Sequence, residues 1–170
     1  MRKLLFIAFG FCGCAVWAQP LPFTFHRLST EQGLSMGNIT AIVQDKHGYL
    51  WLGTTNGLNR FDGYGFEVYE HLYGDSTSLL PSQIRNLFSD SEGRLWVGCM
   101  HGLQEFDFAQ KRFRTYAKGR IFWVGDMVEV RPNELYVATY DGIARVNTAT
   151  GAVNYLIDSP TNDSLLRFRV

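Results

Sequence analysis

The sequence is short of several things, and each shortage closes a route. It has three cysteines, and two of them, Cys12 and Cys14, lie in the N-terminal apolar run. Past residue 18 Cys99 stands alone, so no internal disulfide can form there and stability has to come from packing. No apolar stretch after residue 18 approaches the roughly 20 residues that a membrane helix needs. Blocks of like charge are missing too. Residues 19–170 carry 14 Lys and Arg against 16 Asp and Glu, a net charge of −2 without a basic stripe, which argues against nucleic acid as a partner. His26, His47, His71 and His101 have no metal-ligand spacing. No nucleophile motif of the G-x-S-x-G kind occurs. The residues give no argument for catalysis, for a cofactor or for a metal.

The first residues form a unit of their own. Met1-Arg2-Lys3 is basic, Leu4 to Trp17 is an uncharged run of 14 residues, and Val16-Trp17-Ala18 reads as a cleavage site before Gln19. Residues 1–18 are therefore expected to be a secretory signal peptide cleaved near Ala18, which sends the rest to the periplasm or beyond. A lipoprotein signal with acylated Cys14 is the competing reading, and Phe11 stands where its motif wants a branched aliphatic residue.

What the sequence does contain is a repeat. Asp45 to Asp62 (DKHGYLWLGTTNGLNRFD) returns 45 residues later as Asp90 to Asp107 (DSEGRLWVGCMHGLQEFD), identical at 9 of 18 positions. The shared residues are Asp45/Asp90, Gly48/Gly93, Leu50/Leu95, Trp51/Trp96, Gly53/Gly98, Gly57/Gly102, Leu58/Leu103, Phe61/Phe106 and Asp62/Asp107. A weaker copy follows, with Asn133 for the hairpin glycine, Tyr136 for the tryptophan, Ala138 for the next glycine and Gly142 retained. A period of 40–45 residues rich in strand formers predicts blades of a β-propeller.

Each repeat reads as four strands. The first is expected at Ile39–Gln44, Ile84–Ser89 and Val124–Glu129, with apolar residues on both faces as in a strand buried between neighbours. Asp45-Lys46-His47-Gly48 closes a hairpin, with the aspartate as turn cap and the glycine in the left-handed position. Gly53 and Gly98, inside strands, predict that a neighbouring backbone or large ring packs against them. Trp51 and Trp96 read as wedges between blades rather than sugar platforms, since repeats must bury their faces on one another. The fold expected is all-β: an incomplete β-propeller of three four-stranded antiparallel blades plus the start of a fourth. Its parts are a lead-in at 19–35, blade 1 with its connection at 36–80, blade 2 at 81–121, blade 3 at 122–161 and a truncated fourth at 162–170. Ser164-Leu165-Leu166 repeats Ser78-Leu79-Leu80, so the chain reads as an N-terminal piece of something longer. Phe23–Leu28 alternates as a strand would and is expected to close the ring as the outer strand of the last blade. Three blades alone are expected to be marginally stable, to oligomerise and to hold no glycan tightly.

The string Asp-x-x-Gly-x-Leu-Trp-x-Gly-(x)3-Gly-Leu-x-x-Phe-Asp resembles the two-component regulator propeller repeat. The resemblance covers residues 36–156, with the lead-in and residues 162–170 added at the ends. It implies the periplasmic sensor of a hybrid two-component histidine kinase that responds to carbohydrate-derived ligands. It also implies further repeats and a kinase as the chain's partners, with room for a homodimer of the full-length receptor. A secreted, non-signalling binding or scaffold propeller is the alternative, and a propeller lyase or glycosidase has only the architecture behind it.

Strand 2–3 turns and inter-blade loops share one rim of such a meander. The candidate ligand residues are accordingly Asn56, His101, Tyr140 and Asp141 from the turns, with Asn38, Gln83 and Trp123 just before the first strands.

Overall fold

The computed structural model describes residues 25, 27–81, 83–116, 119 and 121–158. It contains twelve strands in three antiparallel four-stranded sheets, each a meander in chain order. Blade 1 is β1 (Ile39–Gln44), β2 (Leu50–Thr54), β3 (Leu58–Phe61) and β4 (Phe66–Tyr69). Blade 2 is β5 (Ile84–Ser89), β6 (Leu95–Cys99), β7 (Gly102–Asp107) and β8 (Arg112–Tyr116). Blade 3 is β9 (Asp126–Arg131), β10 (Glu134–Thr139), β11 (Gly142–Asn147) and β12 (Val153–Asp158). The blades meet through their first strands, β5 packing on β1 and β2, and β9 on β5. The expected propeller blades are thus present. The expected signal peptide (1–18) and the expected start of a fourth blade (162–170) lie outside the described residues.

The repeated hairpin shows why its residues recur. Asp45 Oδ1 accepts the backbone N–H groups of His47 (2.8 Å) and Tyr49 (3.1 Å), and its Oδ2 accepts the indole Nε1–H of Trp51 at 2.8 Å. Asp90 repeats the pattern with Glu92 N (3.1 Å), Arg94 N (2.9 Å) and Trp96 Nε1 (2.9 Å), and adds Arg94 Nε at 2.6 Å. One carboxylate therefore holds the turn and fixes the ring that enters the next blade boundary. Gly48 and Gly93 take φ of 89° and 78°, and Asn133 takes 63° in the same place, a conformation that asparagine tolerates better than most residues.

Trp51 and Trp96 are fully buried. The Trp51 ring lies 4.9 Å from Phe106 and 5.9 Å from Phe108 of blade 2, and is stacked on Tyr69 of its own blade at 5.9 Å. Trp96 meets Tyr116 at 5.0 Å and shares a core with Val124, Leu135, Val137 and Ala144 of the next repeat. Tyr136, the residue in the tryptophan position of blade 3, is half-buried. Phe106 is buried, whereas Phe61 is half-buried against Phe66, with ring centroids 4.9 Å apart.

Three expectations need correction. The first strand of blade 3 begins at Asp126 rather than Val124. Val124 still takes the place of Ile84, but its N–H donates to Cys99 O of blade 2 (3.2 Å), and the chain joins its own sheet only from Gly125, whose N–H donates to Ala138 O (2.8 Å). The first strands of blades 1 and 3 are also not buried on both faces. Ile42 on β1 and Val128 on β9 are 62% and 55% exposed, because no blade packs on the outer faces of blades 1 and 3 among the described residues, whereas β5, between two blades, buries Leu87 toward blade 1 and packs Phe88 toward blade 3 as expected. Gly53 and Gly98 are approached by neither backbone nor ring. A Cβ on Gly53 would stand 2.5 Å from Ile84 Cγ2, and one on Gly98 would collide with Val124 Cγ1. A β-branched residue at the start of β5 (Ile84) or just before β9 (Val124) thus fills the notch left by the glycine of the preceding blade. Within Phe23–Leu28, expected to pair only with the last blade of a complete ring, the described residues Phe25, Arg27 and Leu28 are not in a strand, which leaves that expectation untested. The others of that segment lie outside the described residues.

Gly53→Ala is expected to destabilise the protein by about 1–3 kcal/mol, as overpacking in a filled core does. The double variant Gly53→Ala with Ile84→Ala should recover part of the loss. Urea unfolding checks both, and additive losses would show that the notch is not what the glycine serves.

A second repeated device was not legible from the motif. Asn59 and Gln104 are fully buried polar residues at equivalent places on β3 and β7. Asn59 Oδ1 accepts Ser35 N (2.8 Å) while its Nδ2 donates to Ser35 Oγ (2.9 Å) and Leu52 O (3.2 Å). Gln104 Oε1 accepts Leu80 N (2.9 Å), and its Nε2 donates to Ser78 O (3.1 Å). Each amide pins the loop that leads into the blade, satisfying backbone groups that burial would otherwise leave unpaired.

Candidate functional site

The rim at the β2–β3 end of the blades is assembled by backbone hydrogen bonds between loops distant in sequence. Met100 N–H donates to Gln83 O (3.1 Å), Trp123 N–H to Met100 O (2.8 Å) and Tyr140 N–H to Phe122 O (3.1 Å). The turn of blade 2 is thereby tied to the loops before β5 and β9, and the turn of blade 3 to the loop before β9. Gln83, His101, Trp123 and Tyr140 fall on this stitched edge. Asn56 and Gln83 also line one cleft at the boundary of blades 1 and 2, together with Glu70 and His71. Asn56 Nδ2 reaches Glu70 Oε1 at 3.4 Å, and His71 Nδ1 is paired with Leu79 O at 2.9 Å.

Of the remaining candidates, Asp141 is half-buried beside Tyr140 in the β10–β11 turn, and Asn38 is exposed one residue before β1. Gly57 stands just before β3, while Gly102 and Gly142 begin β7 and β11. These glycines shape the turns rather than offer side chains to a ligand. Asp45 and Asp90 are occupied by turn amides and indoles as described above.

Trp123 is the unusual residue of the rim. Its φ is +52°, a left-handed conformation that costs a bulky residue about 1–3 kcal/mol. Its side chain remains 42% exposed, and the Arg85 guanidinium lies 4.5 Å from the ring centroid. Phe122 and Tyr140 beside it are also exposed. Arg85 was absent from the sequence-derived candidates. Its position, one residue past the buried Ile84, was the only available signal.

Electrostatic perturbation is concentrated away from the rim. Burial pushes the Tyr116 phenol up, and its 2.6 Å hydrogen bond to Glu105 Oε2 pushes it further. Tyr69 is raised by burial and by the Glu67 carboxylate. Glu67 itself bridges Arg60 (2.7 Å) and Lys111 of blade 2 (2.6 Å), so these groups tie blades together on the outer side.

The comparisons with known proteins agree with this architecture. The two-component regulator propeller pattern matches residues 33–56 and 78–101, each match running from the loop before a blade to its β2–β3 or β6–β7 turn. Histidine kinase P4 of Formosa agariphila is 42% identical over 73 residues, a match that covers 43% of this chain and 5% of that protein. The extracellular domain of BT4673 from B. thetaiotaomicron, named as a hybrid two component system, superposes with a TM-score of 0.61 at 23% identity. That alignment covers 81% of this chain and 21% of the other. Virginiamycin B lyase from Staphylococcus aureus gives 0.52 at 13% identity, covering 68% of this chain and 40% of the lyase, a likeness of fold alone. This chain therefore spans less than half the length of each of these relatives. With its three four-stranded blades and its aspartate–tryptophan hairpins, the chain carries two copies of the two-component regulator propeller repeat, at residues 33–56 and 78–101.

Proposed function

We propose that these blades are part of the extracytoplasmic ligand-sensing propeller of a hybrid two-component system, taking a carbohydrate-derived ligand at the β2–β3 rim. The observation that carries this reading is the stitched rim, on which Trp123, Phe122 and Tyr140 stand exposed next to Gln83 and His101. Exposed aromatic faces with amide and imidazole groups beside them suit a sugar, which offers apolar C–H faces and a fringe of hydroxyls. The likeness to Histidine kinase P4 supports the signalling context. The basic start and apolar run of residues 1–17 support export. The remaining repeats and the kinase would be the partners of this segment, and its own role is binding rather than catalysis.

The test is transcriptional. Cells carrying the complete protein should induce a defined gene set when given the matching oligosaccharide. The variant Trp123→Ala with Tyr140→Ala should lower that induction at least about tenfold at equal protein level, as loss of a central aromatic anchor does. Induction unchanged by the double variant would remove the rim from the function.

A further inference from the structure

The repeats supply an internal control, because the same positions recur at successive blade boundaries. The first strands of blades 1 and 2 each have a register shift at their start, where one extra residue is inserted opposite the second strand. In blade 1 it lies between Ile39 and Ala41, and in blade 2 between Ile84 and Asn86, so the inserted residues are Thr40 and Arg85. Thr40 serves the scaffold, donating its hydroxyl to Gly53 O (3.0 Å) and across the boundary to Ile84 O (2.7 Å). Arg85 makes neither of these bonds and lies on Trp123 instead. Gln83, one residue before Ile84, has its counterpart in Trp123, one residue before Val124. The fold therefore accepts Thr40 with Gln83 at the first boundary, and nothing in the blade geometry requires Arg85 with Trp123 at the second.

The second boundary nonetheless carries the less favourable choice. Trp123 takes a positive φ, which Gln83 does not, and it leaves a large apolar ring partly in solvent. Among the described residues no ion pair includes Arg85, so its charge is set against the indole face rather than a carboxylate. The nearby Asp126 carboxylate is engaged by Asn86 Nδ2 (3.1 Å) and Met127 N (2.8 Å). A guanidinium stacked by its face keeps its edge N–H groups for a planar or tetrahedral oxyanion, and inserted strand residues are a common device for aiming a side chain at a site.

We propose that Arg85 and Trp123 form a subsite for the anionic group of an acidic sugar, a carboxylate or a sulfate ester. In it the guanidinium pairs with the anion and the free part of the indole packs on the ring that carries it. This deepens the sensing reading above and rests on it.

The test titrates the complete protein, with all its repeats, with two matched pairs, following tryptophan fluorescence. One pair is an oligogalacturonide and its methyl ester; the other is a chondroitin sulfate disaccharide and its desulfated form. Trp51 and Trp96 are fully buried, and Trp123→Phe assigns the responding signal. At least one charged probe is expected to bind about tenfold or more tighter than its neutral partner, the gain of a charge-assisted, two-pronged contact. Which pair discriminates identifies carboxylate or sulfate as the source. Arg85→Gln should erase the difference while leaving the neutral affinity and the melting temperature unchanged, and Arg85→Lys should restore part of it. Equal affinity for charged and neutral probes, still lost in Trp123→Phe, would overturn the anion subsite and leave the sensing reading standing. No saturable response to any of the four would sink both.

Discussion

Trp51→Ala is expected to cost about 3–5 kcal/mol, the range for removing a large aromatic side chain from a core. For a domain whose whole stability is of order 5–15 kcal/mol, that is close to unfolding. The size follows from where the ring sits. It is fully buried, with Phe106 and Phe108 of the next blade on one side and Tyr69 of its own blade on the other. Removing it opens a cavity between blades rather than within one, and no blade can close that gap without moving against its neighbour. Trp51→Phe should retain most of the packing, but Asp45 Oδ2 then loses its indole donor. A cost of about 1–2 kcal/mol is expected for it, since one hydrogen bond to a charged group goes and the carboxylate keeps its two amides. Urea denaturation measures both through the midpoint at unchanged slope. A loss below about 1 kcal/mol for Trp51→Ala would mean that the blades do not depend on this contact.

Asp90→Ala should be nearly as damaging although no apolar surface is lost. The Asp90 side chain is 2% exposed and takes Trp96 Nε1, two backbone amides and Arg94 Nε. Without it the indole N–H is left unpaired in the core, and a loss of about 2–4 kcal/mol is expected from buried donors without acceptors. Asp90→Asn keeps one oxygen for the turn amides but presents an NH2 group to the indole and guanidinium, so it should recover about half of that loss.

The same site makes a statement about pH. Burial opposes ionisation of Asp90, but the hydrogen bonds from Trp96 and Arg94 and the Arg94 charge outweigh it and hold the carboxyl below its ordinary 3.8. A depressed carboxyl stabilises the fold fully above the unfolded value and ceases to do so as pH falls through the folded one. Between neutral pH and pH 5 this contribution should be flat, and it should fall away below about pH 4. The Asp90→Ala protein should show a shallower acid limb in chemical denaturation at stepped pH. Parallel acid limbs in the two proteins would contradict the linkage.

The sequence by itself determined the blades. The hairpin aspartate and glycine, the tryptophan six residues after the aspartate and the strand alternation are local signals, and a 45-residue repeat multiplies them. That is why four strands per repeat, the left-handed position of Asn133 and the equivalence of Val124 with Ile84 could all be read before any coordinates. Tertiary structure alone decided what crosses from one blade to the next. That Ile84 fills the notch of Gly53 is a contact between residues 31 apart, and that Asn59 pins Ser35 joins residues 24 apart. No propensity or periodicity encodes either partner. The exposed face of β1 escaped the sequence for a related reason, since Ile42 is as apolar as its buried counterpart Leu87 on β5, and only the lack of a neighbouring blade on that face among the described residues leaves it in solvent. Arg85 and Trp123 are the clearest case. Read along the chain they are an unremarked strand residue and one loop aromatic among several, 38 positions apart. They meet because blades 2 and 3 pack through their first strands, which brings an inserted strand residue against the loop that leads into the next blade.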